Sequence, residues 1–219
     1  MNFRSSMIAR SVYPLVFLPD LNHWQDIDPP YPTLVFLHGY SGGAVETAMF
    51  SNIDLFAMRY GVAVILVDGE NSFYVDDEKR EAYFSRFVGE ELLEAARSVL
   101  PLSCRREHTW IAGISMGGYG AVPASLFDTL LGGSRAYAGS PRLNPAKAVE
   151  QYVAEGKPLP EFWMCCGKQD QLVGDACSRF RETLLRAGAR LSWEDGPGDH
   201  ALMYWDAHLE SAFRFLAGR

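Results

Sequence analysis

The chain has 219 residues, 48% of them hydrophobic, and carries a net charge of −7 with a pI near 5.2. That composition supplies one large core and predicts a single domain over residues 1–219, with no internal repeat or low-complexity segment. The acidic balance and the lack of a Lys/Arg cluster argue against nucleic acid as a partner, and no apolar run is long enough to span a membrane.

Met1 to Met7 lack the apolar centre of a signal peptide, so a cytoplasmic location is expected. Strand-like apolar runs come next at Pro14–Leu18 and Thr33–Leu37. No helical pattern separates them, which predicts an antiparallel start to the sheet. His38-Gly39-Tyr40-Ser41-Gly42-Gly43 closes the second run. Ala44–Tyr60 then reads as a helix with Met49, Ile53, Phe56 and Met58 near one face, a stripe expected in the core. Val62–Val67 is apolar throughout, as befits a strand buried on both faces of a parallel sheet, and Asp68-Gly69-Glu70-Asn71-Ser72-Phe73-Tyr74 follows it. Tyr83–Leu100 places Phe84, Phe87, Val88, Leu92, Ala95, Ala96 and Val99 at helical spacing.

Thr109–Ala112 is the next strand. Others are expected at Ala136–Ala138, Phe162–Cys166 and Leu191–Glu194, with helices at Cys177–Ala187 and Ala201–Leu216. Strands alternating with helices predict an α/β fold, a mostly parallel central sheet with helices on both faces. Pro141–Pro160 leaves room for a minimal cap at most. Cys165 and Cys166, adjacent on one strand, should face opposite sides. With Cys104 and Cys177 they are too few for a disulfide scaffold and lack a CxxC spacing, and free thiols fit a reducing compartment.

In such sheets ligands gather beyond the carboxyl ends of the strands. Residues capable of chemistry lie just there, in loops carrying His38, Asp68, Ser115, Asp170 and His200. Gly113-Ile114-Ser115-Met116-Gly117 has the Gly-x-Ser-x-Gly pattern of a nucleophile elbow, which puts a serine on a strained strand-to-helix turn. A hydroxyl is a weak nucleophile, and such a turn exposes and aims it. Pro123 is tolerated near a helix's first turn, which fits a helix begun close to Ser115.

Ser115 requires a base. His200 follows the Leu191–Glu194 strand in a turn-rich loop and is the best candidate. His108 begins the strand that ends at the elbow, and seven extended residues at ~3.3 Å each remove it by roughly 23 Å. His208 lies about 12 Å further along a helix than His200. His23 precedes the core strands, and His38 reads as a structural histidine holding its own loop. Asp170 gives the chain order Ser, Asp, His expected of this sheet type. Its rivals are Asp175, better explained as a helix cap, Asp195, and Asp199, which adjoins His200. Oxyanion donors are expected from the backbone of Met116 and of Tyr40, with Gly39 as the alternative to Tyr40.

These stretches resemble one family. Leu37 to Gly42, Gly113 to Ala121, Cys166-Gly167-Lys168-Gln169-Asp170 and Gly198-Asp199-His200 look like the esterase D, or tributyrin esterase-like, branch of the α/β-hydrolases. Ala9-Arg10-Ser11-Val12, Asn71-Ser72-Phe73-Tyr74 and Val88-Gly89-Glu90-Glu91-Leu92 resemble it too, in collinear order over nearly the whole chain. The chain departs from that branch at Ala44-Val45-Glu46-Thr47, where Asn and Trp are expected. The resemblance implies an α/β-hydrolase fold and a triad on Ser115, Asp170 and His200. It also implies a serine esterase for short acyl chains, acetyl or butyryl in type, acting through an acyl-enzyme.

Acyl transfer, hydrolysis of an S-formylglutathione-type thioester, or a silent binding role are the alternatives on the same scaffold. No cofactor and no metal are expected, the partner is a small ester, and a homo-oligomer is compatible with the sequence. Phe73 and Tyr74 are candidate pocket walls, and Trp205 reads as packing. Glu90-Glu91 reads as a solvated face or a first-turn charge, and Arg105-Arg106 as a solvated helix end.

Overall fold

The computed structural model describes residues 1–19, 28–125 and 144–218. The chain forms two compact units, Met1–Leu143 and Asn144–Arg219.

The first unit opens with a small antiparallel pair, β1 (Phe3–Arg4) and β2 (Ser11–Val12), followed by β3 (Leu15–Phe17) and β4 (Thr33–Leu37). Helices α1 (Ala44–Phe50) and α2 (Ile53–Tyr60) lead to β5 (Ala63–Val67). A short hairpin, β6 (Asp76–Asp77) and β7 (Ala82–Tyr83), precedes a long helical run. Strand β8 (Thr109–Gly113) completes a four-stranded sheet of order β3-β5-β4-β8. Strands β5, β4 and β8 are mutually parallel, and β3 is antiparallel. The antiparallel start is therefore present, but β3 pairs with β5, Leu15 opposite Leu66, and not with the strand that follows it. Every residue of β4 and β5 is buried. Their unbroken apolar runs follow from that, since both faces of each strand are covered.

Two helix expectations need correction. Ala44–Tyr60 is not one helix: Ser51 takes an extended conformation between α1 and α2, and its hydroxyl turns back to donate to the Thr47 carbonyl at 2.6 Å. The stripe splits with it. Ile53 and Phe56 are buried, whereas Met49 is 70% exposed. Tyr83–Leu100 is helical but not uniformly so, because a π-helical stretch, Phe87–Glu91, separates α3 (Phe84–Arg86) from α4 (Leu92–Val99). The wider turn shifts the register, which lets the neighbouring pairs Phe87–Val88 and Leu92–Leu93 all face the core. Glu91 is then not a solvated charge. Its carboxylate accepts the Ser5 hydroxyl, the Ser6 amide at 2.7 Å and the Ser6 hydroxyl at 2.6 Å. Burial opposes its charge, yet these hydrogen bonds prevail and hold its pKa below the ordinary glutamate value. Arg105 pairs with Glu107 beside a single 3₁₀ turn.

The second unit holds α6 (Pro145–Ala154), β9 (Phe162–Gly167), α7 (Gly174–Arg186), β10 (Leu191–Gly196) and α8 (Leu202–Leu216), where α5 is the helix Met116–Ser125 of the first unit. Strands β9 and β10 are parallel, with Phe162 opposite Leu191 and Gly167 opposite Gly196. The Asn144 side chain caps α6 by accepting from the Ala146 amide at 2.9 Å. Leu184 and Phe213 are fully buried. The strand expected at Ala136–Ala138 lies outside the described residues.

Candidate active site

Ser115 occupies the corner between β8 and α5 with φ +54°, in the left-handed region that side chains normally avoid. Such a conformation costs about 1–3 kcal/mol and persists only where its surroundings impose it. Here two glycines impose it. A Cβ on Gly113 would collide with the backbone of Gly117, and one on Gly117 would collide with the Leu37 carbonyl. The corner is stitched by Ile114 N–H to Leu37 O at 3.1 Å and Gly117 N–H to Ile114 O at 2.8 Å. Met116 opens α5, where an amide has no acceptor within its own helix. Pro123 is the one departure. It stands at the eighth position of α5 and not in its first turn, where it brings no N–H to the helix ladder.

The loop after β4 abuts this corner. A Cβ on Gly39 would sit 3.4 Å from the Ile114 carbonyl and 3.6 Å from the Ser115 Cβ. Within the loop, the Gly42 amide donates to Gly39 O at 3.1 Å and the Ser41 amide to Asn71 Oδ1 at 2.8 Å. Both are thereby used, which leaves the amides of Gly39 and Tyr40 as donor candidates. His38 is the structural histidine that the sequence suggests. It is buried, Nε2 accepts from the Gly69 amide at 2.9 Å, and Nδ1–H donates to Gly39 O at 2.7 Å.

Phe73 and Tyr74 part company. Phe73 is 43% exposed, packs edge-on against Tyr119 at 5.7 Å and lies 6.0 Å from Tyr40, so it fits a pocket wall. Tyr74 has no exposed surface and cannot line a pocket. Its ring fills the space that side chains on Gly69 and Gly120 would need. Burial drives its phenol well above the ordinary tyrosine pKa, against the effect of its hydrogen bond to the His38 carbonyl. A cavity of ≈390 Å³ beyond the end of β5, lined by residues including Arg10, Tyr13, His38, Asp68 and Glu70, does not include Ser115.

In the second unit Asp170 and His200 meet. His200 Nδ1–H donates to Asp170 Oδ2 at 2.7 Å, while Oδ1 accepts the amides of Leu172 at 3.0 Å and Val173 at 2.9 Å. Burial opposes the charge of Asp170, but the Val173 amide and His200 outweigh it and lower its pKa. A proton held on Nδ1 makes Nε2 the basic nitrogen of His200. The loops carrying the pair are tied together by Lys168 N–H to Gly196 O at 2.8 Å, Gln169 N–H to Gly198 O at 2.9 Å and Gly198 N–H to Gln169 Oε1 at 2.6 Å. Gln169 stands in a stretch that carries the family resemblance, but sequence reading gave its side chain no role. Trp205, read as packing, packs its ring edge-to-face against His200 at 4.9 Å and 85°.

Asp195, His108 and His208 are engaged elsewhere. Asp195 pairs with Lys168 at 3.1 Å. Asp175 lies inside the first turn of α7 and not at its cap, because the helix starts at Gly174 and Val173 precedes it without a side-chain cap. His208 Nδ1–H donates to the Tyr204 carbonyl at 2.7 Å, and His108 bonds Ser103 at 3.1 Å. His23 lies outside the described residues. Among the described residues no His/Cys/Asp/Glu group is arranged to hold a metal ion, and no helix is long and apolar enough to cross a membrane.

Residues 5–184 match the protein family described as "Putative esterase". The acetyl esterase of Caldicellulosiruptor saccharolyticus is 33% identical over 257 positions, covering 99% of this chain and 96% of that protein. Among solved structures, the fluorophosphonate-binding serine hydrolase FphF of Staphylococcus aureus is similar at 25% identity with a TM-score of 0.83, over 99% of this chain and 96% of that one. The S-formylglutathione hydrolase FrmB of the same organism matches at 25% identity and a TM-score of 0.81, over 99% and 97%.

Proposed function

This chain belongs to that esterase family, and on that premise we propose that Ser115 is its nucleophile, His200 its general base and Asp170 the group that orients His200. The fold is that of the α/β-hydrolases, and the protein is a serine carboxylic-ester hydrolase. The observation that carries the assignment is the left-handed Ser115 between Gly113 and Gly117. A left-handed φ alone is not distinctive, since Ala9, Ser41 and Glu81 share it; its place at a strand-to-helix corner between two glycines is what an aimed nucleophile requires.

Ser115 attacks the ester carbonyl as Nε2 of His200 takes its proton. The amides of Met116 and Tyr40 receive the oxyanion, the term that dominates acyl-transfer catalysis. His200 then protonates the leaving alcohol, water attacks the acyl-enzyme, and the same transfers run again. Asp170 stays ionised and stabilises the imidazolium in both halves.

The acyl group is short, acetyl by likeness to the Caldicellulosiruptor enzyme. The exposed face of Phe73 forms one wall of its site, and the near-complete coverage of the neighbours supports a scaffold without a large cap. Four free cysteines support a reducing, cytoplasmic setting. A p-nitrophenyl ester series from acetate to octanoate tests the reading. Turnover should be greatest with acetate or butyrate and vanish in Ser115→Ala. Undiminished turnover in that variant sinks the assignment.

A further inference from the structure

In the sheet, β4 lies between β8, which leads to Ser115, and β5. The loop leaving β5 therefore runs beside the loop leaving β4, on the flank opposite the elbow. Four hydrogen bonds join the two. Gly69 N–H donates to His38 Nε2 at 2.9 Å, Ser41 N–H to Asn71 Oδ1 at 2.8 Å, Ala44 N–H to Asp68 Oδ1 at 2.7 Å, and Tyr74 Oη–H to His38 O at 3.3 Å. They fall at positions 38, 41 and 44 and so bracket Tyr40.

Ser41 is the weak point of this loop. Its φ of +62° is left-handed for a residue that carries a side chain, a conformation costing about 1–2 kcal/mol. The hydrogen bond that Asn71 accepts acts on Ser41 itself. It fixes the peptide joining Tyr40 to Ser41, and through it the direction of the neighbouring Tyr40 amide.

We infer that Asn71 is a positioning residue of the oxyanion hole, holding the loop so that the Tyr40 N–H points where the oxyanion forms. The assignment rests on the reading of Ser115 and Tyr40 given above. On this assignment Asn71 acts through the Ser41 amide and not on the substrate. It acts on a donor whose value lies in being fixed before the reaction, because a preorganised donor needs no reorganisation in the transition state. Asn71 is solvent-exposed, so a carboxylate at this position would be screened and could accept the same N–H.

The test compares wild type with Asn71→Ala and Asn71→Asp. The substrate is p-nitrophenyl acetate, and the probe is a trifluoromethyl ketone whose hemiketal oxygen mimics the oxyanion. Removing a whole oxyanion donor lowers kcat by about 10²–10³, and mis-aiming one should cost about ten- to a hundredfold. Asn71→Ala should therefore lose that factor in kcat at nearly unchanged KM, and bind the ketone more weakly by the same factor. Asn71→Asp should recover most of both. A merely structural role would lower thermal stability and leave kcat and ketone affinity of the folded fraction intact. Wild-type kcat and ketone affinity in Asn71→Ala overturn the assignment, as does Asn71→Asp as impaired as Asn71→Ala. Should Asn71→Ala fail to fold, Asn71→Asp decides: near-wild-type values sustain the assignment and a tenfold loss overturns it. Failure of the underlying site reading shows separately, as full turnover in Ser115→Ala or a wild type that ignores the ketone.

Discussion

Replacing Asp170 with asparagine preserves the shape of the side chain and turns one acceptor into a donor. In the native chain Oδ2 accepts the His200 Nδ1–H at 2.7 Å, and Oδ1 accepts the amides of Leu172 and Val173 at 3.0 and 2.9 Å. Asparagine can keep only one arrangement. With its oxygen on the loop amides, its NH₂ faces Nδ1, which must then accept. The imidazole proton moves to Nε2, and no base remains for Ser115. With its oxygen on His200, the NH₂ abuts two N–H donors, and each unsatisfied buried group costs about 1–3 kcal/mol. The productive tautomer thus lies about 2–6 kcal/mol above the unproductive one, a loss of about 30-fold to 10⁴-fold in kcat at ~1.36 kcal/mol per decade. The upper end agrees with the ~10⁴-fold loss known for the equivalent change in a serine protease. Steady-state hydrolysis of p-nitrophenyl acetate reads it. KM should hardly move, because in the proposed mechanism Asp170 orients the base and does not touch the ester. A variant with kcat within about threefold of wild type would refute the claim that the carboxylate sets the tautomer.

Three further outcomes are expected. Gly117→Ala forces a Cβ into the Leu37 carbonyl and should lower stability by about 1–3 kcal/mol or more, read as a fall in melting temperature together with activity. Trp205→Leu removes the edge-to-face contact with His200, worth about 0.5–1.5 kcal/mol, and should lower kcat by about two- to tenfold; an unchanged kcat would return Trp205 to simple packing. Glu91→Gln tests the clamp on Ser5 and Ser6. A depressed carboxylate pKa gives stability that is present above the ordinary glutamate value and lost as pH falls through the folded value. The melting-temperature gap between wild type and variant should be widest near neutral pH and close in acid. A gap independent of pH would contradict it.

What the sequence disclosed depended on the range of the interaction. The elbow was legible because its geometry is local: Gly113, Ser115 and Gly117 must be what they are within one turn, and the strand that feeds them is a plain apolar run. Chain order suggested pairing Asp170 with His200, and the bond between them follows from β9 and β10 being parallel neighbours. Tyr74 was misread because an aromatic residue after a strand looks the same whether it walls a pocket or plugs the gap left by Gly69 and Gly120. Periodicity could not show the π-helical register shift at Phe87–Glu91, since apolar residues three and four apart suit either helix. Asn71 and Gln169 stand in stretches that carry the resemblance, but what they hold stayed hidden for a different reason. Each bonds the backbone of a loop 30 or 29 residues distant, and those partnerships exist only once the strand order is known.

The central claim is that Ser115 is the nucleophile, and mass spectrometry of the protein after reaction with a fluorophosphonate tests it most directly. A single adduct on the peptide containing Ser115, absent from Ser115→Ala, is the predicted result. An adduct on another residue, or equal labelling of Ser115→Ala, would contradict it.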